Sequence, residues 1–168
     1  MAANLVLKEE SVDMDTDIIN IEKINGTLDN INIIKMNLNR VEELRLGYMR
    51  TADVQLEQNK KNEISSLTEE IGLKITHTSE LLKSMKEECI KKAEQYKVSI
   101  ECNAELRMEN TIIGVFQARL YELIKKSSIQ QLSVKDSYEE KMKRQLAVYA
   151  PDIEENHVQE LMEQPEVR

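Results

Sequence analysis

The 168-residue sequence has no tryptophan, one phenylalanine, four glycines, two prolines and two cysteines. Folds built on frequent tight turns, whether all-β or α/β, need far more glycine and proline punctuation than this, so neither fits. No run reaches the ~18 consecutive apolar residues of a membrane span, and Leu5-Val6-Leu7 is too short for the core of a signal peptide. Cys89 and Cys102 form no CxxC pair and imply no disulfide framework, which suits reduced thiols in the cytosol. The only histidines are His77 and His157.

Catalysis has little to stand on in such a chain. There is no glycine-rich phosphate loop, and no serine or cysteine sits in a nucleophile motif. Glu154-Glu155-Asn156-His157 has the Glu-x-x-His spacing of metal sites in helical bundles, but that chemistry needs a second copy on a facing helix. The residue three before His77 is Lys74, a cation. The chain is therefore expected not to be an enzyme and to carry no catalytic, metal or cofactor site.

What the sequence does contain is charge and periodic aliphatics. Charged residues make up 32% and the formal net charge is −8. The negative charge gathers at the ends, with Lys8 against Glu9, Glu10, Asp13, Asp15 and Asp17, and Arg168 against six acids from Asp152 onward. The middle is near neutral, and a nucleic-acid binder would need a basic face that is missing here.

Three long stretches keep apolar residues three and four apart, the period of an amphipathic helix. The first runs through Ile21, Ile24, Leu28, Ile31, Ile34, Leu38, Val41, Leu44 and Tyr48, predicting a helix over 16–51. Asn25-Gly26 lies in phase with that stripe, so Gly26 is read as helix-internal, at about 1 kcal/mol relative to alanine. Thr51 to Asn59 loses the stripe and reads as a loop. Ile64, Leu67, Ile71, Ile75, Thr78, Leu82, Met85 and Cys89 restore it, for a helix over 58–96. Asn103 is a credible N-cap for the third helix, 104–148, whose stripe is Leu106, Ile113, Phe116, Leu120, Ile124, Ser127, Gln131, Val134, Tyr138 and Met142. Its basic end, Lys141-Met142-Lys143-Arg144, suits the negative end of the helix dipole. Pro151 then stops it.

Each such helix is about 50 Å long at ~1.5 Å per residue, and short connections make neighbours antiparallel. The expected fold is all-α: an up-down-up three-helix bundle. A flexible acidic terminus over 1–15 precedes it, and an acidic linker over 149–168, with a short helix near 153–163, follows.

With Leu120 set at zero and about 100° per residue, Tyr121, Leu132 and Ile129 fall near 100°, 120° and 180°, off the stripe. On the second helix Leu73 and Ile90 are similarly displaced. A groove between helices two and three, lined by these residues and accepting a fourth amphipathic helix, is one reading; scattered exposed apolar residues on an ordinary bundle are the other. Ser127, Gln130, Gln131 and Ser133 dilute the third stripe, so its C-terminal half is expected to pack less tightly.

Several segments resemble the N-terminal regulatory three-helix domain, called Habc, of the syntaxins, the membrane-anchored SNARE proteins of vesicle fusion. Lys143-Arg144-Gln145-Leu146 is similar to the family's Gln-Arg-Gln-Leu. Asp152 to Glu155 and Val158-Gln159-Glu160-Leu161-Met162-Glu163 resemble its acidic linker. Further likenesses are Ile24-Asn25-Gly26-Thr27-Leu28-Asp29-Asn30-Ile31 in the first helix and Leu106-Arg107-Met108 with Thr111 in the third, so that the resemblance covers about 13–163.

The resemblance implies a regulator of vesicle docking and membrane fusion, exocytosis included. Its own SNARE helix would lie in the groove between the second and third helices in a closed state, and SM-family proteins would bind that arrangement. Other SNAREs would be met through the full-length protein. The implied partner-binding residues are Leu73, Ile90, Tyr121, Ile129 and Leu132 in the groove and Val158, Gln159, Leu161 and Met162 in the linker. The family's Leu-Glu pair falls on Val158-Gln159, where Gln159 lacks the charge. A cytosolic domain is implied, without nucleic acid and without membrane insertion of its own, in a protein tail-anchored in the plasma membrane or an endomembrane through segments beyond Arg168. The alternative reading is a structural, spectrin-like helical scaffold with no switching role; the tryptophan usual in spectrin-type helices is missing.

Overall fold

The computed structural model describes the backbone of residues 2–149 and the side chains of 21–149. It contains α1 (Ala2–Arg50), α2 (Val54–Tyr96) and α3 (Ala104–Tyr149), and no strand among the described residues. The fold is an all-α three-helix bundle. The chain divides into two compact units, Met1–Asn37 with Glu69–Lys125 and Leu38–Thr68 with Lys126–Arg168, each built from a segment of all three helices.

In the first unit Ile31 and Ile34 of α1, Ile71, Leu82, Met85 and Cys89 of α2, and Leu106, Ile113, Phe116 and Leu120 of α3 are buried. Each fully buried aliphatic of this size stabilises by about 1.5–3 kcal/mol. The pairs Lys23–Glu88 and Asn30···His77 set α1 antiparallel to α2. Lys92–Glu109 and the Cys89 thiol on the Leu106 carbonyl tie α2 to α3 across their connection.

That connection carries its own signals. The Val98 N–H donates to the Ala93 carbonyl and the Lys97 N–H to that of Glu94, while Lys97 itself takes a left-handed φ of 53°. This is the usual way to close a helix, with lysine where glycine is preferred. Asn103 then caps α3, its Oδ1 accepting the N–H groups of Glu105 (2.9 Å) and Leu106 (3.2 Å), as its side chain suggests.

In the second unit α1 and α3 run parallel: the Gln130 amide donates to the Leu38 carbonyl, Arg45 to the Ser137 hydroxyl, and Lys141 to the Tyr48 carbonyl. Arg40–Glu63 and Lys141–Glu57 set α2 antiparallel to both. The up-down-up order follows. Leu38, Val41, Leu44, Tyr48 and Ile64 are its buried apolar side chains, joined by the polar Glu57, Ser127, Gln130, Ser137 and Lys141.

Helix starts differ from expectation. The backbone is helical from Ala2, where 1–15 was expected to be a flexible terminus. Ala2, Ala3, Leu5, Leu7, Lys8, Glu9 and Glu10 are helix formers with no glycine or proline among them, and propensity needs no apolar stripe. The second helix starts at Val54 rather than 58. Asp53 caps it, with Oδ1 accepting the Leu56 N–H at 2.9 Å, so the first connection is only 51–53. The linker expected over 149–168 and its helix near 153–163 lie, beyond Tyr149, outside the described residues.

The stripes also shift. On α1, Thr27 and Asn30 are buried whereas Ile21 is 57% and Leu28 36% exposed. On α3, Gln130, Ser137 and Lys141 are buried where Gln131, Tyr138 and Met142 were expected. The inward row keeps its register from Leu106 through Ile113 and Leu120 in steps of seven, whatever residue type falls on it.

Candidate functional site

Two kinds of feature compete for a functional role: polar groups held inside the bundle, and apolar groups left outside it. The interior ones are accounted for by bonding, apart from the buried side-chain amide nitrogen of Asn37, which has no partner among the described residues. In the first unit Lys74 Nζ donates to Asn30 Oδ1 at 3.2 Å, which turns the Asn30 amide nitrogen toward His77 Nδ1 at 3.1 Å. The ring nitrogen there is thus the acceptor, and the imidazole serves as a clasp between α1 and α2. Its neighbour is the cation Lys74, so no metal-ligand partner stands beside it. Among the described residues no three His, Cys, Asp or Glu side chains converge on a metal position.

In the second unit Lys141 is the hub. Its ammonium donates to the Tyr48 carbonyl (2.6 Å), the Thr51 carbonyl (2.7 Å) and the Glu57 carboxylate, and lies 4.3 Å from the centre of the Tyr48 ring. The lysine side chain is 7% exposed and that of Glu57 11%. Tyr48 and Thr51 are at the end of α1, so the cation caps the free carbonyls of α1 rather than those of its own helix. The Gln145 amide reaches Glu57 at 3.4 Å, and Tyr138 meets Tyr48 edge to face at 4.9 Å. Burial pushes the Tyr138 phenol up to about 12, with Tyr48 adding to it.

Of the polar residues expected to loosen the C-terminal half of α3, Gln130 is instead pinned, bonded to the Leu38 carbonyl. Ser137, one turn past Ser133, accepts from Arg45 and donates to the Ser133 carbonyl. A buried polar residue with its bonds made locks register. Nothing in either cluster is a nucleophile beside a base.

The outside is where unpaired chemistry lies. In the first unit Leu73 (66% exposed), Ile90 (42%) and Tyr121 (71%) are on the surface, and in the second Ile129 (56%) and Leu132 (63%). Within the first unit Leu73 stands apart from the other two. Leu73 directly precedes Lys74 and is one turn before His77, both bonded to Asn30 of α1, so it sits at the α1 edge of α2's outer face. Ile90 lies on the flank of α2 away from α1, level with the Lys92–Glu109 pair, while Tyr121 is twelve residues past Glu109, about 18 Å along α3.

Within the second unit the flank of α2 that turns toward α3 is polar after the exposed Val54, carrying Gln58, Lys61, Asn62, Ser65 and Thr68. Leu132 points directly outward from α3. Ile129 turns toward the α1 side, close to Lys126, which donates to Asn39. The one-residue shift of the buried row from Gln130 onward is the cause: it rotates the outer positions of α3 in the second unit away from α2. Val158, Gln159, Leu161 and Met162 lie outside the described residues.

The exposed apolar surface of the second unit's α3 thus centres on the helix's outer face. Sequence reading missed two members of the corresponding face in the first unit, Met108 (61% exposed) and Val115 (46%). Their signal was a second row at three-and-four spacing, masked by the stronger inward one. No helix among the described residues is long and apolar enough to cross a membrane. Comparison with protein-family models, with curated proteins and with solved structures gives no match.

Proposed function

We propose that this chain is a regulatory helical domain of a syntaxin-like SNARE, acting in vesicle docking and membrane fusion by binding an amphipathic SNARE helix and an SM-family protein. The observation that carries the reading is that Ile129 and Leu132 of α3, each more than half exposed, stand on the face turned away from the bundle core. Two large aliphatics three residues apart are the anchors a guest helix uses in helix-in-surface recognition. The order of the syntaxin-like segments, Ile24 to Ile31, Leu106 to Met108 and Lys143 to Leu146, supplies the identity of that guest.

The binding face centres on the outer face of α3 rather than on the groove between α2 and α3, because the α2 flank of the second unit is polar from Gln58 to Thr68, with Val54 at its start as the exposed apolar residue. The domain performs no bond-making chemistry in this reading. It acts by occupying one helix and releasing it.

The test is a calorimetric titration of the chain with a syntaxin-family SNARE-motif peptide and, separately, with an SM protein. Saturable binding that Ile129→Glu and Leu132→Glu abolish at unchanged thermal stability supports the proposal. Binding indifferent to both, or none, leaves the structural scaffold. The fully bonded interior of the second unit, which favours rigidity, is the observation on that side.

A further inference from the structure

The outer face of α3 in the first unit carries a repeat of its own. Ala104, Met108, Thr111, Val115 and Ala118 follow one another at four, three, four and three residues, and all are exposed. That is the spacing of a coiled-coil seam, and it lies opposite the buried row Leu106, Ile113 and Leu120. Thr111 is less polar here than its name suggests: its hydroxyl donates to the Arg107 carbonyl at 2.7 Å, which leaves the methyl group available to a neighbour.

We infer that this face pairs two copies of the chain, α3 against α3 in antiparallel orientation, about a two-fold axis near Ile113. An antiparallel seam sets each position of one subset against the other subset of its partner. Centred here, the layers pair Met108 with Ala118 and Thr111 with Val115, each twice, so that the largest side chain of the row meets a small one and the two β-branched residues, nearly equal in size, meet each other.

The flanking residues fix the orientation. On one side Glu105 faces Arg119 of the second copy, and by symmetry Arg119 faces Glu105, giving two opposite-charge pairs. On the other, Arg107 lies level with the ring of Tyr121, 71% exposed, where a guanidinium stacks on the aromatic face. Among the described residues the side chains of Glu105, Arg107, Arg119 and Tyr121 make no hydrogen bond or ion pair within the chain. A parallel pairing at the same level offers neither charge match. The self-complementary pattern is what an isologous two-fold contact requires.

The seam from Glu105 to Tyr121 is only about 24 Å long at ~1.5 Å per residue, so association is weak and reversible. It involves neither Ile129 nor Leu132. Self-pairing and the guest-helix binding proposed above can therefore fail independently.

Sedimentation equilibrium of the full chain is the test. The expected result is a mass that rises from the 19.5 kDa monomer toward twice that value as concentration increases, and a weaker dimer in high salt as the flanking pairs are screened. Arg119→Glu sets like charges opposite each other at both ends and should weaken the dimer about tenfold or more. Glu105→Arg combined with Arg119→Glu should restore it. Leu132→Glu should leave it unchanged. These are surface positions, and a helical circular-dichroism spectrum identical to the parent confirms that each variant is folded. A monomer at every concentration overturns the inference, as does a dimer insensitive to Arg119→Glu or one that the double exchange fails to restore.

Discussion

Replacing Lys141 with methionine keeps most of the side-chain volume and removes the charge. What is lost can be read from the site. The Glu57 carboxylate, 11% exposed, is left with only a 3.4 Å contact from Gln145. The Tyr48 and Thr51 carbonyls at the end of α1 lose donors at 2.6 and 2.7 Å. Breaking one partner of a buried ion pair costs about 3–5 kcal/mol, because the other charge stays behind uncompensated. We expect Lys141→Met to cost that much in urea unfolding followed by helical circular dichroism. Glu57→Leu should be milder, since the lysine keeps two carbonyls and the Tyr48 ring. The double variant buries no lone charge, and replacing such a pair by apolar residues is often neutral or better. It should therefore be more stable than Lys141→Met by about 2 kcal/mol or more, a coupling that a double-mutant cycle reads directly. A Lys141→Met variant within about 1 kcal/mol of the parent would refute the hub.

Leu120→Ala, at a position 4% exposed in the first unit, should cost about 2–5 kcal/mol; a negligible loss in the same unfolding assay would mean the α3 seam is misassigned. Lys97→Gly should stabilise by about 1 kcal/mol, since the left-handed φ of 53° strains a side-chain-bearing residue and not glycine; an unchanged denaturation midpoint would count against that cap. Alkaline pH should destabilise the fold. The Tyr138 phenol, raised by burial to about 12, and Tyr48, raised by burial and then by Glu57, hold their protons more tightly folded than unfolded. Their contribution is complete below the unfolded value near ~10 and is lost as pH climbs through the folded one. Stability measured across that window should fall, less steeply in Tyr138→Phe; a flat profile would contradict the burial of the pair.

The number of helices, their up-down-up order and the cap at Asn103 were legible because each rests on local chemistry: an apolar period, short connections, and a side chain that accepts backbone N–H groups. The start of α2 was not, because Asp53 caps a turn whose inward position is Glu57, and a carboxylate does not register as core. The same blindness moved the α3 row onto Gln131, Tyr138 and Met142. Once Leu106, Ile113 and Leu120 are inside, steps of seven carry Ser127 and Lys141 inside with them, and hydrophobicity has no vote. A polar residue carried inward must then find partners, which is why Gln130 ends on a carbonyl of α1 and Lys141 on two carbonyls and a carboxylate.

The converse explains the surface. Apolar residues that fall out of register, Leu28 on α1 and Met108, Val115, Ile129 and Leu132 on α3, are left facing water at least 36% exposed. Burying Leu132 by rotating α3 would expose Ser127 and Lys141 and break the bonds that hold them, at a cost greater than the aliphatic returns. The interior bonds therefore hold the exposed row in place. An outer face locked in this way keeps its anchors preorganised, and a partner meeting it spends little of its binding energy on ordering them. Loosening the interior at Gln130 or Lys141 should then weaken any association through Ile129 and Leu132 without touching either residue.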